Sequence, residues 1–469
     1  MALVVILLAA FMDLLAVTIL NVILPFIQTD LLASPAQLEW MLSGYTLALA
    51  LGLITGARLG DMLGHKRIFI AGVAGFAAAS ALCALSANSD MLVVGRVLQG
   101  LFAAAMLPQV LSQIQVMYAP RERGGAMAAF SALSGLAAAL GPILGPLLLT
   151  WDLLSLGWRL VFWINVVIGA VVVVACLELL SESRSSRPPH LDVLGVVVST
   201  AGLLLVLYPL ITAADRSRWP AWAYLSMVAG GTMLIGFVAH QRRVAARGEE
   251  PLLQVFLFQF RSIQGGLLVQ LVFFVPVMGF FLIVMQFLQV GLRMSPMMAG
   301  LTILPWSVAA PVLAGISAAV LLPMIGRAAV QIGLVLLATG FAILAVAAAD
   351  AMPSTGWPSL IVGMLVGGAG MGMVVAPLAQ LTLTDVPVEH AGSGSALFNT
   401  VTQLAASLGV AVIGTIFFTR VRGTNATPNA LAAGFGHALA TSLWICIGLL
   451  ALALIASLLL PRMAVQTRS

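Results

Sequence analysis

Charge is what this sequence has least of. Only 8% of its 469 residues are Asp, Glu, Lys or Arg, against about a quarter in soluble globular chains. Among the 21 basic residues Lys66 is the sole lysine. That scarcity excludes a water-soluble enzyme and a disordered scaffold. The net charge of +5 and the pI near 9.6 do not mark a nucleic-acid-binding protein, because such a face needs clustered cations and these are scattered between apolar runs. Cysteine is scarce too: Cys83, Cys176 and Cys446 each sit inside an apolar run with no CxxC pair, and read as small buried hydrophobes. The five histidines are isolated near span ends, so no metal site is expected. Neither a hydrolase triad nor a phosphate-binding Lys loop is present. The glycine run GGAGMGM (367–373) fits neither GxGxxG nor a Walker A loop and reads as a close helix contact.

What is present is apolar: 61% of residues, with a mean hydropathy of +1.12. A membrane-spanning helix needs about 20 apolar residues. Fourteen stretches qualify: 2–27, 38–60, 67–88, 90–116, 124–150, 158–180, 191–214, 219–242, 260–290, 297–320, 325–349, 357–382, 392–419 and 434–460. The first is too long for a signal-peptide core and has no small-residue cleavage site after it. All must be helices, since the short alternating strands of a closed barrel are absent. The expected fold class is an all-α polytopic membrane protein.

With both termini on the cytoplasmic side, Arg159, Arg216, Arg218, Arg293, Arg420 and Arg422 fall outside and Arg96 falls within a span. The remaining 14 of the 21 basic residues fall inside, the bias that sets orientation. The spans group as six, two and six. Residues 1–180 form a first six-helix bundle. Residues 181–259 form a linker with two extra spans and a cytoplasmic surface segment. Residues 260–469 form a second six-helix bundle. Six plus six is the arrangement of paired transporter halves around a midplane cavity. The extra spans carry no mid-span charge, which favours a peripheral structural role.

Polar residues inside the hydrocarbon point to function. Asp13 stands about 16 Å into the first span by helical rise. A carboxylate there costs several kcal/mol unless paired, hydrated or protonated, so it is either a neutral hydrogen-bonded acid or a reversible proton carrier facing a wet cavity. Arg96 keeps its proton and must find water or acceptors, either within the protein or by snorkelling to the nearer interface. The short loop GARLGDMLGHKR (56–67) embeds Asp61 among Arg58, Lys66 and Arg67, where a local charge network can form, while Gly60 and Gly64 permit a tight turn. GLAAALGPILGP (135–146) places Gly141-Pro142 and Gly145-Pro146 inside the fifth span, where proline kinks a helix and glycine admits a neighbour. Asn21, Gln99, Gln109, Gln113, Asn165, Gln286, Gln289, Asn399 and Gln403 are uncharged polar residues that either line a cavity or join helices. Abundant Met and Phe could furnish an adaptable apolar pocket.

These segments resemble the major facilitator superfamily, and in particular its fourteen-helix drug:proton antiporter branch. GARLGDMLGHKR is similar to the family's loop motif after helix 2, matching at Gly56, Leu59, Asp61, Gly64, Lys66 and Arg67. MDLLAVTILNVILP (12–25) resembles the branch's first-helix signature, and GRVLQG (95–100) the fourth-helix motif. LGPILGP resembles the antiporter motif of helix 5, with Pro146 in place of a glycine. WRLVFWINVVIG (158–169) resembles the opening of helix 6, and the stretches 286–305 and 392–414 also match. The second-half copy of the loop motif is reduced to Gly326-Arg327.

The resemblance implies proton coupling through Asp13 and Arg96. It implies a cytoplasmic lock built from Gly56, Arg58, Asp61, Gly64, Lys66 and Arg67, and a helix 5 shaped by Gly141, Pro142 and Gly145. The expected function is proton-driven export of hydrophobic or amphipathic small molecules by alternating access. The chain would lie in a bacterial cytoplasmic membrane and use the proton gradient rather than a cofactor. Its partners would be the small-molecule substrate, protons and the lipid bilayer, with no nucleic acid; a periplasmic adaptor stays open. No second acid stands mid-span in the C-terminal half, which argues against a preference for multivalent cations. Two alternatives stay open: a proton-coupled importer or uniporter of a metabolite, and a receptor or scaffold that moves nothing.

Overall fold

A computed structural model describes the chain except residues 1, 119–122, 152–154, 181, 183–191, 213–219, 248–250, 253, 353–355, 388–390, 422–426 and 464–469, together with some side chains of residues 54–139 and 391–392. Arg121, Arg184, Arg187, Arg216, Arg218, Arg422 and Arg468, used above for orientation, lie outside the described residues, as does the side chain of Arg123. The chain divides into two compact units, Met1–Gln254 and Val255–Ser469.

The first unit holds α1 (Ala2–Asp30), α2 (Pro35–Leu63), α3 (His65–Ala84), α4 (Ser89–Met117), α5 (Arg123–Trp151), α6 (Arg159–Leu179), α7 (Val193–Thr212) and α8 (Ala221–Ala246). Local chemistry sets several ends. Ser34 caps α2 in a capping box with Gln37, ahead of Pro35 at the first helical position, and Asn88 caps α4. Packing within the unit is tightest where side chains are smallest. A side chain on Gly56 of α2 would come 2.1 Å from Ala104 O of α4, and one on Gly100 would come 2.3 Å from Tyr45 O. Small residues that let backbones approach are the usual basis of helix contact in lipid. α7 and α8 pack on each other, and α7 reaches α2. There Tyr208 sits between Trp40 and Trp222, tilted 46° to each with ring centroids 6.1 Å apart.

The second unit holds α9 (Arg261–Gln286), α10 (Pro296–Ile316), α11 (Ala328–Ala349), α12 (Pro358–Leu383), α13 (Ala391–Val421) and α14 (Pro428–Ala456). α9 runs into a wide π turn, Phe287–Gly291, and α10 into a second one, Ser317–Leu321. The glycine run of α12 is a contact surface, as its sequence suggests. Side chains on Gly367, Gly370 and Gly372 would strike Trp306 of α10, Leu337 of α11 and Ala310 of α10 at 2.1 to 2.4 Å. Trp306 is 2% exposed and stacks on Phe280, ring centroids 4.9 Å apart.

Fourteen helices of 20 residues or more are thus present among the described residues. Twelve are long and apolar enough to cross a membrane. The count is thirteen if the two arms of α2, Pro35–Leu53 and Thr55–Leu63, bent by 46°, form one span. The architecture expected from hydropathy is present, and the count among the described residues comes near the fourteen expected.

Candidate functional site

Asp13 lies mid-helix in α1, 3% exposed. Its Oδ1 accepts a hydrogen bond from the hydroxyl of Tyr45 on α2. Arg96 of α4 is 1% exposed, and its guanidinium carbon sits 4.1 Å from the centroid of the same Tyr45 ring. Tyrosine therefore stands between acid and base. Its polar tip serves one and its π face the other, an arrangement that stabilises a desolvated cation by about 2 kcal/mol.

Two donors of Arg96 are directed. Its Nε donates to Met41 O at 3.1 Å and its Nη1 to Gln99 Oε1 at 2.7 Å. Gln99 Nε2 donates to Ser80 Oγ at 2.6 Å, and Ser80 Oγ donates to Phe76 O at 2.7 Å. The chain of contacts runs from α1 through α2 and α4 to α3. It places two donors of Arg96 on acceptors inside the unit, with the side chain buried rather than snorkelling to an interface. Tyr45 and Ser80 were not singled out from sequence. A signal existed for Tyr45: a buried acid requires a donor, and the chain holds only 4 tyrosines.

α5 approaches α1 one turn beyond Asp13. A side chain on Gly141 would come 2.2 Å from Thr18 Oγ1, and one on Gly145 would come 3.2 Å from Ile19 Cγ2. Pro142 and Pro146 lie inside a continuous α5. Between α1, α5 and α6 is a cavity of about 210 Å³ whose wall includes Leu15, Ile19, Leu148 and Val161, with Asn165 its single polar residue.

At the α2–α3 turn the described partners of the cations reach well beyond the loop itself. Gly64 adopts φ +107°. Lys66 Nζ donates to Leu177 O at 2.8 Å and Leu180 O at 2.6 Å, closing the C-terminal end of α6. Arg67, 70% exposed, pairs with Glu182 at 3.5 Å, and Lys66 N donates to the same carboxylate at 3.2 Å. Arg58 donates to Pro251 O, tying the segment after α8 to α2. Asp61 lies 3.4 Å from His65 Nε2. The cations of this turn chiefly satisfy carbonyls far along the chain, which spacing within the loop does not reveal.

The second unit repeats this device. Gly326 has φ +56°, and Arg327 Nη1 donates to Leu458 O at 2.8 Å and Leu460 O at 3.1 Å, beyond the end of α14. The Gly326-Arg327 remnant therefore keeps the helix-closing half of the motif.

The other polar residues disperse. Gln109 is buried and donates to Gly56 O at 2.8 Å. Asn21 and Asn399 bond carbonyls of their own helices, Val17 O and Ser395 O, and Asn399 is exposed. Gln286, Gln289 and Gln113 are buried, while Gln403 is partly exposed. Among the described residues no group of His, Cys, Asp and Glu could hold a metal ion.

A helical membrane protein with two units of packed spans and a buried acid–tyrosine–arginine contact in the first is the class these features define. The Major Facilitator Superfamily model matches residues 6–410, and the chain belongs to that family. It is 43% identical over 429 residues to the probable actinorhodin transporter of Streptomyces coelicolor, covering 91% of this chain and 74% of that one. It is 33% identical to the tetracenomycin C resistance and export protein of Streptomyces glaucescens, covering 86% and 73%. It is 32% identical to the drug efflux pump JefA of Mycobacterium tuberculosis, covering 91% and 81%. Among solved structures it resembles an auto-inhibited POT-family peptide transporter, with a TM-score of 0.67 at 18% identity over 97% of this chain and 95% of that one. At that identity the likeness shows the fold alone.

Proposed function

We propose that this chain is a proton-coupled exporter of hydrophobic or amphipathic small molecules. It would work by alternating access in a bacterial cytoplasmic membrane, with fourteen spans and both termini inside. The observation that carries this reading is the buried contact of Asp13, Tyr45 and Arg96. Supporting it, the relatives at 32–43% identity are named as transporters or exporters of antibiotics and drugs.

The contact is suited to coupling because its strength depends on one proton. With Asp13 ionised, the Tyr45 bond is charge-assisted and stabilises the arrangement by about 1.5–3 kcal/mol; a neutral acid leaves a bond of about 1 kcal/mol. A difference of about 1.4 kcal/mol is tenfold in a conformational equilibrium. Protonation also removes a negative charge near Arg96, so the acid, the ring and the guanidinium rearrange together. In this cycle Asp13 takes a proton from outside, substrate is released outward, and the proton leaves inside. One charge crossing 100 mV yields about 2.3 kcal/mol, so one proton at roughly 150 mV sustains a neutral solute about 2.5 decades uphill. The 56–67 turn would act as the cytoplasmic lock, Gly141, Pro142 and Gly145 would shape the helix packed on α1, and no cofactor would take part.

The test is a panel of dyes and antibiotics in a pump-deficient bacterial host. Efflux that needs this chain and stops on collapse of the proton gradient supports the proposal. Accumulation identical with and without the chain across the panel contradicts it.

A further inference from the structure

We infer that His65 is a second proton-binding group, held in a fixed tautomer and taking its proton on Nε2 against Asp61. The inference stands whether or not Asp13 couples export, because it rests on hydrogen-bond directions at the α2–α3 turn alone.

The argument begins with Gln109 of α4. Its Nε2 lies 2.8 Å from Gly56 O and 3.1 Å from Ala105 O. Both neighbours are carbonyls, which only accept, so the amide nitrogen faces them and Oε1 must be an acceptor. That oxygen lies 2.7 Å from His65 Nδ1. Nδ1 therefore carries the hydrogen.

With Nδ1 committed as donor, the neutral ring has its lone pair on Nε2. That atom lies 3.4 Å from the Asp61 carboxylate, itself an acceptor when ionised. Two acceptors then face each other. A proton on Nε2 turns this opposition into an ion pair while the Gln109 bond is kept. One proton therefore switches the contact between α2 and α3 while the tie to α4 persists, and His65 is nearly buried while Asp61 remains open to solvent, so a proton can arrive from the Asp61 side.

Among the described residues the cations of this turn have acceptors of their own. Lys66 points to Leu177 O and Leu180 O of α6, Arg67 pairs with Glu182, which also accepts from Lys66 N, and Arg58 donates to Pro251 O. Helix ends act in both directions: a cation suits the C-terminal end of α2 and opposes the N-terminal start of α3. Asp61, at ion-pair distance, decides between them. Only one other described histidine pairs with an acid, His240 with Asp192 at 3.1 Å, and there Asp192 also accepts from Gly195 N and Gln241 Nε2.

The test is nitrogen NMR of the full-length protein, labelled in its histidine rings and purified in detergent, titrated from acid to alkaline pH. A His65→Asn variant assigns the signal, since the asparagine amide can replace the donor to Gln109 and cannot titrate. The expected result is a ring doubly protonated at acid pH that becomes neutral with its hydrogen on Nδ1. In Asp61→Asn the doubly protonated fraction at a given intermediate pH falls. In Gln109→Leu the neutral ring loses its exclusive Nδ1–H form. A neutral wild-type ring with its hydrogen on Nε2, or a ring that keeps one protonation state throughout, overturns the inference. So does an unchanged titration in Asp61→Asn with the fold intact by circular dichroism.

Discussion

Tyr45 donates its phenolic hydrogen to Asp13 and offers the face of the same ring to Arg96. The two contacts use different parts of one side chain, so they can be separated by substitution. Tyr45→Phe keeps the face for Arg96 and removes the donor from a buried carboxylate. Loss of such a donor costs about 1–3 kcal/mol. Proton-driven efflux is therefore expected to fall by about tenfold, with the protein still folded, as measured by efflux rates across a range of imposed pH gradients. Undiminished efflux would mean that Tyr45 does not serve the acid.

The two turn glycines are expected to differ in how they tolerate a methyl group. At Gly64 a side chain would come 2.3 Å from Glu182 Oε1, the end of a flexible side chain. At Gly326 it would come 1.9 Å from Arg462 O, a backbone atom that cannot swing aside. Both positions have positive φ outside the left-handed helical well, which costs an L-residue about 1–3 kcal/mol. Gly326→Ala should lower the melting temperature in detergent more than Gly64→Ala. Adding Glu182→Ala should restore part of the Gly64→Ala loss.

Lys66 is expected to act through the end of α6. Lys66→Met leaves Leu177 O and Leu180 O without their donor and should destabilise the first unit by about 1–2 kcal/mol. Lys66→Arg can still reach carbonyls and should recover most of this. Thermal unfolding and hydrogen exchange over residues 176–182 distinguish the two. Equal protection in the Met variant would contradict the assignment.

Much of this was legible before any coordinates. Twenty-residue apolar stretches must become helices in lipid, so the starts and ends of α1, α4, α6 and α12 fall within a few residues of their hydropathy limits. The packing role of the glycine run 367–373 follows equally from its setting in an apolar span. Side-chain partners were less accessible. Lys66 bonds carbonyls 111 and 114 residues away, and a carbonyl has no sequence signature. Tyr45 sits in an apolar run that marks α2 as a span and hides which face meets α1. A hydropathy window also does not register the 46° bend of α2.

Acid should loosen α7 from α8 through Asp192, which precedes α7. Burial alone would push its carboxyl up. The donors Gly195 N–H, Gln241 Nε2 and His240 Nε2 outweigh that and hold it below the ordinary 3.8. A carboxyl lowered in the folded state contributes stability present above its unfolded value and lost as pH falls through the lowered native one. Asp192→Ala should therefore destabilise the α7–α8 pair at neutral pH. The gap from wild type should close progressively below pH 3.8. A gap that widens on acidification would contradict the sign.

Vesicles carrying Asp13→Asn test the central claim most directly, with substrate accumulation and proton flux followed together and substrate binding measured on the purified variant. Asparagine retains the size and an acceptor for Tyr45 but cannot exchange a proton. The account requires that binding persist while both the uphill movement of substrate and the coupled proton flux disappear. Wild-type accumulation together with wild-type proton flux in this variant would show that export does not run through Asp13.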